Sequence, residues 1–312
     1  MRLTAPLKLR LGSSPTLEVS VGGAELNVLV AVAQLGLRAR WVTRLPDNQL
    51  GRLIAGHARR FDVEVIAETE TGGRAGLYFV ELGSKPRPAE VLYDRAASAG
   101  SHLRPGQFDW PQLLRDAQAF HATGITCGLG SEPEQAVLEA LRVAQDSGVL
   151  TSFDLNYRSR LWGAEEAAAS FRRVLPGVDV LFASPYDLEL VTGERGDPSE
   201  LAHQVVDAYR MRYVIVRSQQ DLGGESIVVT VAAVGKSQTS SAVAEANVVD
   251  PFGAGDVAAA AFLAAHLGGD SLQGAVARAV RACAHKYTVP GDAWVISPGE
   301  LDRDDSGRRI VR

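Results

Sequence analysis

The sequence predicts an α/β fold, in which strands alternate with helices. From Ala119 onward, short apolar runs alternate with amphipathic segments in a regular β-α-β order. The chain has 312 residues, enough for one large domain or two small ones, and its hydrophobic content of 46% provides for a sizeable core. Near the end, an apolar strand, a glycine turn and a helix follow one another between Val243 and Leu267. Together these features indicate a sheet covered by helices.

The first part of the chain predicts strands around a helix that begins with glycines. Leu7 to Leu11 and Leu17 to Val21 alternate in polarity as strands do. Gly22-Gly23 then opens a helix that carries Asn27 in its first turn and ends at Gly36. Such a helix start can place amide and backbone donors on a polyol, although a simple turn also explains it. A strand from Arg40 to Arg44 and a helix from Asp47 to Phe61 follow.

Residues 62 to 104 predict a small sheet appended to the main domain. Its strands are the short runs Val63 to Ile66, Gly76 to Leu82 and Glu90 to Asp94, which are separated by turns containing Gly and Pro. Tyr78, Tyr93 and Arg95 are candidates to point into a site. The alternative is that they are ordinary surface residues.

The parallel part of the sheet begins at the strand Ala119 to Thr123. A capping box at Ser131 starts the next helix, and the strand Val149 to Phe153 follows it. Asp154, Asn156 and Arg158 come directly after that strand, where open α/β sheets place ligand sites. These three residues either contact a ligand or belong to a solvated loop, and the sequence leaves both interpretations open. The later predicted elements are a helix Glu165 to Leu175, strands Asp179 to Ala183 and Tyr213 to Arg217, a hairpin of Ile227 to Val234 with Ser241 to Val249, a helix Leu272 to Tyr287, and a frayed tail from Asp302.

The glycine turn from Asp250 to Asp256 is the strongest functional candidate. The first turn of a helix has unpaired N–H groups and partial positive charge, and glycines let an anion approach them. A carboxylate at Asp256 suits a base that takes a proton from a hydroxyl attacking a phosphoryl group. A dinucleotide fingerprint (Gly253-x-Gly255-x-x-Ala258) and a structural helix cap are the alternatives.

Composition excludes several classes of protein. The net charge of −5 comes from 32 basic and 37 acidic residues, which argues against a binder of nucleic acid or anionic membranes. The two cysteines, Cys127 and Cys283, are too few for a disulfide framework, so we expect a reducing, cytoplasmic setting. No window reaches 18 apolar residues and the start has no signal-peptide pattern, so no transmembrane helix is expected.

Two motifs in order give the chain a family resemblance. Gly22-Gly23-x-x-x-Asn27 near the start and Gly253-Ala254-Gly255-Asp256 near the end resemble the ribokinase/PfkB family of carbohydrate kinases, over nearly the whole chain. Within the family the chain is most similar to 2-keto-3-deoxygluconate kinases. The supporting stretches are Val91 to Arg95, Asp154 to Arg158, Leu161-Trp162 and Thr288 to Asp292.

This resemblance implies a ribokinase-like three-layer sandwich, with a central mostly parallel sheet and a small β-lid, as a single domain over residues 1–312. The lid segments are expected at about 15–22, 39–45 and 62–104, and the lid often forms a homodimer contact. ATP and Mg²⁺ are implied, with a monovalent cation left open, for phosphoryl transfer to a primary hydroxyl of a sugar or sugar acid. Another sugar kinase (fructose, ribose or a nucleoside) and a non-catalytic sugar or nucleotide sensor are the alternatives.

The resemblance also implies residue roles. Asp256 is the expected base, and the N–H groups of Gly253, Ala254 and Gly255 are expected to stabilise the transferring phosphoryl group. Arg95 and Arg158 suit a substrate carboxylate, because the guanidinium fork pairs with its oxygens bidentately. The expected sugar contacts are Gly23, Asn27, Tyr78, Tyr93, Arg95, Arg158 and Asp292. The expected nucleotide contacts are Asn156, Arg158, Ser184, Asp187, Ser218, Gly223, Gly253 and Gly255, and no metal ligand is assigned.

The sequence departs from the family pattern at three places. The family's first strand, with its acidic sugar contact, is missing. Met1 to Leu3 line up with the latter part of that strand. This predicts either a start placed too late or a weakened position in the central sheet. The family's Asn-x-x-Glu motif is matched by Ser184 and Asp187, which have shorter reach. The turn from Ser218 to Gly224 lacks its first glycine, where a side chain hinders close approach to a nucleotide.

Overall fold

The computed structural model describes residues 1–6, 9–84, 86–296 and 299–301. The predicted frayed tail and part of the predicted strand at Leu7 lie outside these residues. The central sheet has six strands in the order β12-β11-β10-β9-β8-β7. β7 to β10 pair in parallel, and β11 and β12 continue the sheet antiparallel. The strands are β7 (Ala119–Thr123), β8 (Leu150–Asp154), β9 (Val180–Ala183), β10 (Tyr213–Gly223), β11 (Ser226–Val234) and β12 (Thr239–Asn247).

Helices cover both faces of this sheet, because its strands alternate their apolar side chains between two cores. Val180 and Phe182 of β9 pack in one hydrophobic cluster with α1, α9 and α10, whereas Leu181 and Ala183 pack in another with α5 to α8. The helices are α1 (Ala24–Gln34), α2 (Gln49–Arg60), α3 (Trp110–Leu114), α4 (Gly124–Cys127), α5 (Ser131–Asp146), α6 (Ala164–Val174), α7 (Pro185–Thr192), α8 (Pro198–Tyr209), α9 (Ala254–Leu267) and α10 (Leu272–Tyr287). The predicted α/β fold with helices on both faces is confirmed.

A second, four-stranded sheet has the order β2-β1-β5-β6 and is here called the lid. Its strands are β1 (Arg2–Thr4), β2 (Glu18–Ser20), β5 (Leu77–Glu81) and β6 (Glu90–Asp94). β3 (Ala39–Pro46) and β4 (Val63–Glu70) pair in parallel with each other as a separate sheet. The assignment of residues 39–45 and of the strand at Val63 to the lid was therefore wrong, as was the alignment of Arg2 and Leu3 with a central strand. Alternation of apolar and polar residues identifies a strand but does not determine which other strand it pairs with.

Two strand boundaries also differ from prediction. Leu11–Ser13 is a short 3-10 helix rather than the end of a strand. β10 does not stop at Arg217, since Ser218 to Asp221 continue to pair with β11 in a long hairpin. Polar residues can extend a strand wherever a hairpin partner supplies backbone hydrogen bonds, so the polar run was not a turn. None of the helices in the described part of the chain is long and apolar enough to span a membrane.

Candidate active site

The glycine turn before α9 has the geometry of an anion site. Gly253 is the N-cap residue, with φ of 78°, and no side chain caps the helix. A Cβ on Gly253 would lie 2.4 Å from the carbonyl oxygen of Asp292, so the position requires glycine. The first backbone N–H groups of α9, which include those of Ala254 and Gly255, have no acceptor within the helix and are available to an anion.

Asp256 lies in this first turn and is 8% exposed. Asn27 of α1 donates a hydrogen bond from Nδ2 to Asp256 Oδ2 over 2.7 Å. Burial raises the pKa of Asp256 to about 6, while the Asn27 hydrogen bond and the charge of Arg158 oppose that rise. The group is therefore mostly ionised at neutral pH yet basic enough to accept a proton, which is the property that general-base catalysis requires.

Asp292 is held by side chains from the lid. Tyr78 of β5 donates from Oη to Asp292 Oδ2 over 2.6 Å, and Arg2 of β1 donates from Nη1 to Asp292 Oδ1 over 2.8 Å. A Cβ on Gly22 would lie 2.2 Å from Tyr78 Oη, so that glycine makes room for this pair. Gly23 is the N-cap residue of α1, next to Gly22. The structure thus brings Tyr78, Asp292 and the early glycine pair together.

Arg2 is a site residue that sequence reasoning missed. It is 1% exposed, and its Nη2 donates to Asp250 Oδ2 over 2.7 Å, so one guanidinium bridges Asp250 and Asp292. Burial works against the charged form, but the hydrogen bonds and charges of the two aspartates outweigh it and raise the pKa of Arg2. Lys286, also fully buried, donates from Nζ to the carbonyl oxygen of Val289 over 2.8 Å. No local pattern marks Arg2, because its partners lie 248 and 290 positions away.

Arg95 presents a buried donor without a partner. Tyr93 lies opposite Tyr78 in the lid, and Arg95 Cζ lies 3.8 Å from the centre of the Tyr93 ring. Arg95 Nη2 is buried and has no hydrogen-bond partner within the described structure. Burial lowers the pKa of Arg95, and the positive charge of Arg158 adds to that effect. A buried guanidinium nitrogen without an acceptor is costly, so this place suits an anionic ligand.

Arg158 and Asp154 extend the site past the end of β8. Arg158 is exposed, and its positive charge opposes the rise in the pKa of both Asp154 and Asp256, so it lies near both carboxyl groups. Asn156 has φ of 40°, and its backbone N–H donates to Asp154 Oδ1 over 3.0 Å. Burial first, then the charges of Asp256 and Asp187, raise the pKa of Asp154 to about 8. The carboxyl group of Asp154 therefore loses its proton less readily than an ordinary aspartate does.

The predicted nucleotide contacts at the start of α7 bind one another. Ser184 Oγ accepts from the Asp187 backbone N–H over 3.2 Å, and Asp187 Oδ2 accepts from the Ser184 N–H over 2.8 Å. This is a capping box, and Asp187 is 6% exposed. Its carboxylate still acts on Asp154 and Arg217, which places it near the site. The side chains that are predicted to contact the nucleotide therefore cap their own helix.

The β10 hairpin changes the predicted loop over the nucleotide. Ser218 pairs with Thr230 inside the strand, and Gly223, with φ of 97°, lies in the turn at the far end of the hairpin. Gly223 is thus separated from Ser218 by roughly 16 Å of extended chain. Arg217, which sequence reasoning did not select, lies close to the glycine turn, since its Nε is 3.4 Å from the position that a Cβ on Gly255 would take. Arg217 stands at the carboxyl end of an apolar run, where open α/β sheets place ligand sites, and this position could have identified it as a site residue.

Metal ligands do not form a cluster in the described residues. No group of three or more His, Cys, Asp or Glu side chains there is arranged to hold a metal ion. Asp154 and Asp187 are close enough for the charge of Asp187 to raise the pKa of Asp154.

Known proteins resemble the chain along nearly its whole length. The family model described as "pfkB family carbohydrate kinase" matches residues 8–294. A 2-dehydro-3-deoxygalactonokinase of Haloferax volcanii is 35% identical, covering 97% of this chain and 93% of that protein. A 2-dehydro-3-deoxygluconokinase of Thermoproteus tenax is 33% identical, covering 91% and 85%. The crystal structure of a 2-dehydro-3-deoxygluconokinase from Thermotoga maritima superposes with a TM-score of 0.91 at 37% identity, covering 96% and 95%. The chain belongs to the pfkB family of carbohydrate kinases.

Proposed function

We propose that this protein transfers the γ-phosphoryl group of ATP to a primary hydroxyl of a 2-keto-3-deoxy sugar acid, with 2-keto-3-deoxygluconate as the first candidate. The observation that carries the proposal is the buried, unpartnered Nη2 of Arg95 beside Tyr93 and the Tyr78–Asp292 pair. A carboxylate supplies the acceptor that this guanidinium lacks, whereas a neutral hexose offers only hydroxyls. The names of the relatives from Haloferax, Thermoproteus and Thermotoga point to the same substrate class.

In the proposed reaction, Asp256 takes the proton of the substrate hydroxyl as its oxygen forms a bond to the γ-phosphorus. The bond from that phosphorus to the bridging oxygen breaks, and ADP leaves. Asn27 holds the carboxylate of Asp256 in position through its 2.7 Å hydrogen bond. The N–H groups of Gly253, Ala254 and Gly255 stabilise the negative charge on the transferring group, because they are fixed in a buried helix terminus.

The sugar acid lies between the lid and α1 in this proposal. Gly23, Asn27 and Asp292 hold its hydroxyls, while Tyr78 and Tyr93 close over it. Arg95 binds the carboxylate, and Arg158 bridges the substrate and the phosphates, which its exposed position beside Asp256 allows. The lid residues among these are fixed by strand register, since Tyr78 and Tyr93 are directly paired.

On the nucleotide side, we assign ATP contacts to Asn156, Ser184, Asp187 and Ser218, and not to Gly223, which lies at the far end of the β10 hairpin. Mg²⁺ supplies charge neutralisation on the β- and γ-phosphates when it is bound. The donor set fits a hydrated Mg²⁺, which takes one or two carboxylates plus phosphates and keeps several waters. Asp187 and Asp154 would hold it. Assays with and without K⁺ test the need for a monovalent cation.

The lid also supports a homodimer. Val19, Leu3, Phe79 and Leu92 are in register across its four strands, on the face opposite Tyr78 and Tyr93. Val19 is 55% exposed and Leu92 56%, so this apolar row is not covered within the chain. We propose that two lids pack through this row about a two-fold axis. Sedimentation equilibrium tests it, and a monomer at micromolar concentration contradicts it.

A cytoplasmic location is part of the proposal. Cys127 and Cys283 are both free and buried, and burial raises the pKa of both thiols, so they remain inert and reduced. The cytoplasm also supplies the ATP that the proposed reaction consumes. Cell fractionation with an antibody to the protein tests the location.

The substrate test compares acids with neutral sugars. An ADP-release assay across sugars and sugar acids should give turnover with 2-keto-3-deoxygluconate or its C4 epimer and little with fructose. Arg95→Ala should raise KM for the acid by about tenfold to a hundredfold, the worth of one charge-assisted hydrogen bond, and leave KM for fructose nearly unchanged. Arg74→Ala, an exposed arginine of the same region, is the control.

Two outcomes contradict this assignment. Equal losses on acid and neutral sugar after Arg95→Ala would indicate a neutral substrate. Absence of turnover with every sugar, together with retained binding of a sugar acid in calorimetry, would favour the non-catalytic sensor.

A further inference from the structure

One buried lysine takes no part in the proposed reaction. Lys286 lies in the last turn of α10 and is 0% exposed, whereas lysine is almost never fully buried unless it is paired. Its Nζ donates to the carbonyl oxygen of Val289 over 2.8 Å. A buried ammonium is costly unless nearby charges compensate it, so its position needs a physical reason.

Lys286 lies against the glycine turn that begins α9. Its Cε is 3.4 Å from the position that a Cβ on Gly253 would take. The backbone N–H groups of Val249 and Asp250 both donate to the carbonyl oxygen of Tyr287, over 2.8 and 3.0 Å, which ties the end of α10 to the chain just ahead of the turn. The lysine side chain is therefore fixed relative to the helix terminus at which the phosphoryl group is proposed to lie.

The buried charges behind this turn balance when Lys286 is counted. Asp250 and Asp292 are both buried, and Arg2 donates a hydrogen bond to each of them. One guanidinium leaves one of the two negative charges uncompensated, and Lys286 supplies the second positive charge. Burial lowers the pKa of Lys286, while the charges of Asp250 and Asp292 raise it. Without the ammonium, a net negative charge would lie behind the turn and would repel an anion from the N–H groups of α9.

We propose that Lys286 is a positioning residue for phosphoryl transfer: its ammonium is the fixed cation behind the glycine turn, and it makes turnover independent of a monovalent metal ion. Its charge adds to the partial positive charge that the N–H groups of Gly253, Ala254 and Gly255 present to the transferring group. Backbone carbonyl oxygens such as that of Val289 also bind K⁺ in proteins, so the ammonium engages a ligand that such an ion would need. This inference rests on the proposed function.

The first test uses the unaltered protein in a buffer whose only monovalent cation is tetramethylammonium, in the ATP salt as well. We expect turnover of 2-keto-3-deoxygluconate with MgATP to be the same there as when KCl or NaCl replaces the tetramethylammonium salt at equal ionic strength. Turnover that requires KCl or NaCl overturns the role of Lys286. Absence of turnover in all three buffers contradicts the proposed function instead.

The second test removes the charge and keeps the length of the side chain, in Lys286→Met. We expect kcat to fall by about tenfold to a hundredfold, because a fixed charge near the transferring group is lost, while KM for the sugar acid stays unchanged. Steady-state kinetics measures both quantities. Lys236→Met, at an exposed lysine between β11 and β12, is the matched control and should leave kcat unaltered. An unaltered kcat in Lys286→Met overturns the proposal.

The third test separates the charge from the packing of the side chain. Lys286→Ala leaves a space that an ammonium ion can enter and tetramethylammonium cannot, so ammonium chloride should restore part of kcat at equal ionic strength. Restoration by ammonium alone supports the proposal. Loss of kcat in both variants without such rescue shows a merely structural role and overturns it. Where circular dichroism shows that a variant does not fold, the unaltered protein in the three buffers decides.

Discussion

The side of the site that is proposed to bind the sugar (the sugar side) and the side that is proposed to bind ATP (the nucleotide side) are held together in different ways. On the sugar side, buried contacts join residues far apart in the chain: Asn27 to Asp256, Tyr78 to Asp292, and Arg2 to both Asp250 and Asp292. On the nucleotide side, contacts are local, since Ser184 and Asp187 cap their own helix and Asp154 binds the N–H of Asn156. Long-range buried contacts couple several elements, whereas local ones can change with little effect elsewhere.

Two of the three departures from the family pattern, at Ser184 and at Ser218, lie on the nucleotide side. Gly22 and Gly253 sit where a Cβ would collide with Asp292 or Tyr78, so substitution at either position disturbs several partners at once. At the nucleotide side, a serine and an aspartate still make a complete capping box. This capping box keeps α7 intact, although serine and aspartate offer a nucleotide different groups from those of the family's Asn-x-x-Glu motif.

The largest effect is expected from Asp256→Asn. Asparagine keeps the shape and can still accept the Asn27 hydrogen bond, but it cannot take a proton. We expect kcat to fall by about 10²- to 10⁴-fold, the usual contribution of a general base, with sugar affinity nearly unchanged. Steady-state kinetics and calorimetry measure the two quantities. Unaltered turnover would rule out Asp256 as the base.

Arg2→Met tests the long-range network itself. Removing the guanidinium leaves Asp250 and Asp292 buried without their shared partner, and breaking a buried ion pair in this way costs about 3–5 kcal/mol. Urea unfolding measures the loss. Arg74→Met, which breaks an exposed pair with Asp94, is the control and should have no measurable effect. Equal stability of the two variants would show that the network does not hold the sugar side.

The pH dependence of kcat/KM tests the environment of the base. The pKa of Asp256 is raised to about 6, and the base acts only when it is ionised. Activity should therefore fall as pH drops below about 6, approaching tenfold per pH unit, and level off above it. Asn27→Ala removes the bond that opposes the rise, so the falling limb should move to higher pH. A limb near pH 4 in both proteins would contradict the buried setting.

The smallest effect is expected on the nucleotide side. Ser184→Ala removes one half of the capping box and should cost about 1 kcal/mol of stability. KM for ATP should change several-fold while the affinity for the sugar acid stays constant. Ser199→Ala, at the exposed start of α8, serves as the control. A change in sugar affinity would show that the two sides are coupled.

Much of the fold was predictable because its signals are local. Alternation of apolar residues located β7 to β9. α5 begins at Ser131, but its N-cap residue is Gly130 and no side chain caps it, so the predicted capping box at Ser131 was wrong. Strand partners were not predictable in the same way, since β3 and β4 carry the same pattern as lid strands yet pair with each other. The polar part of β10 was missed because its pairing depends on β11 rather than on its own side chains.

The sequence by itself determined the α/β class and the glycine turn with Asp256, because short-range spacing and backbone requirements specify them. The candidate sugar contacts are what the resemblance to the family implies. Only the tertiary structure showed that Arg2 bridges Asp250 and Asp292, that Asp187 is occupied in a capping box, and that β3 pairs with β4 outside the lid. The physical reason is the same in each case. These features arise from contacts between residues that no local pattern pairs, and burial makes such contacts energetically decisive.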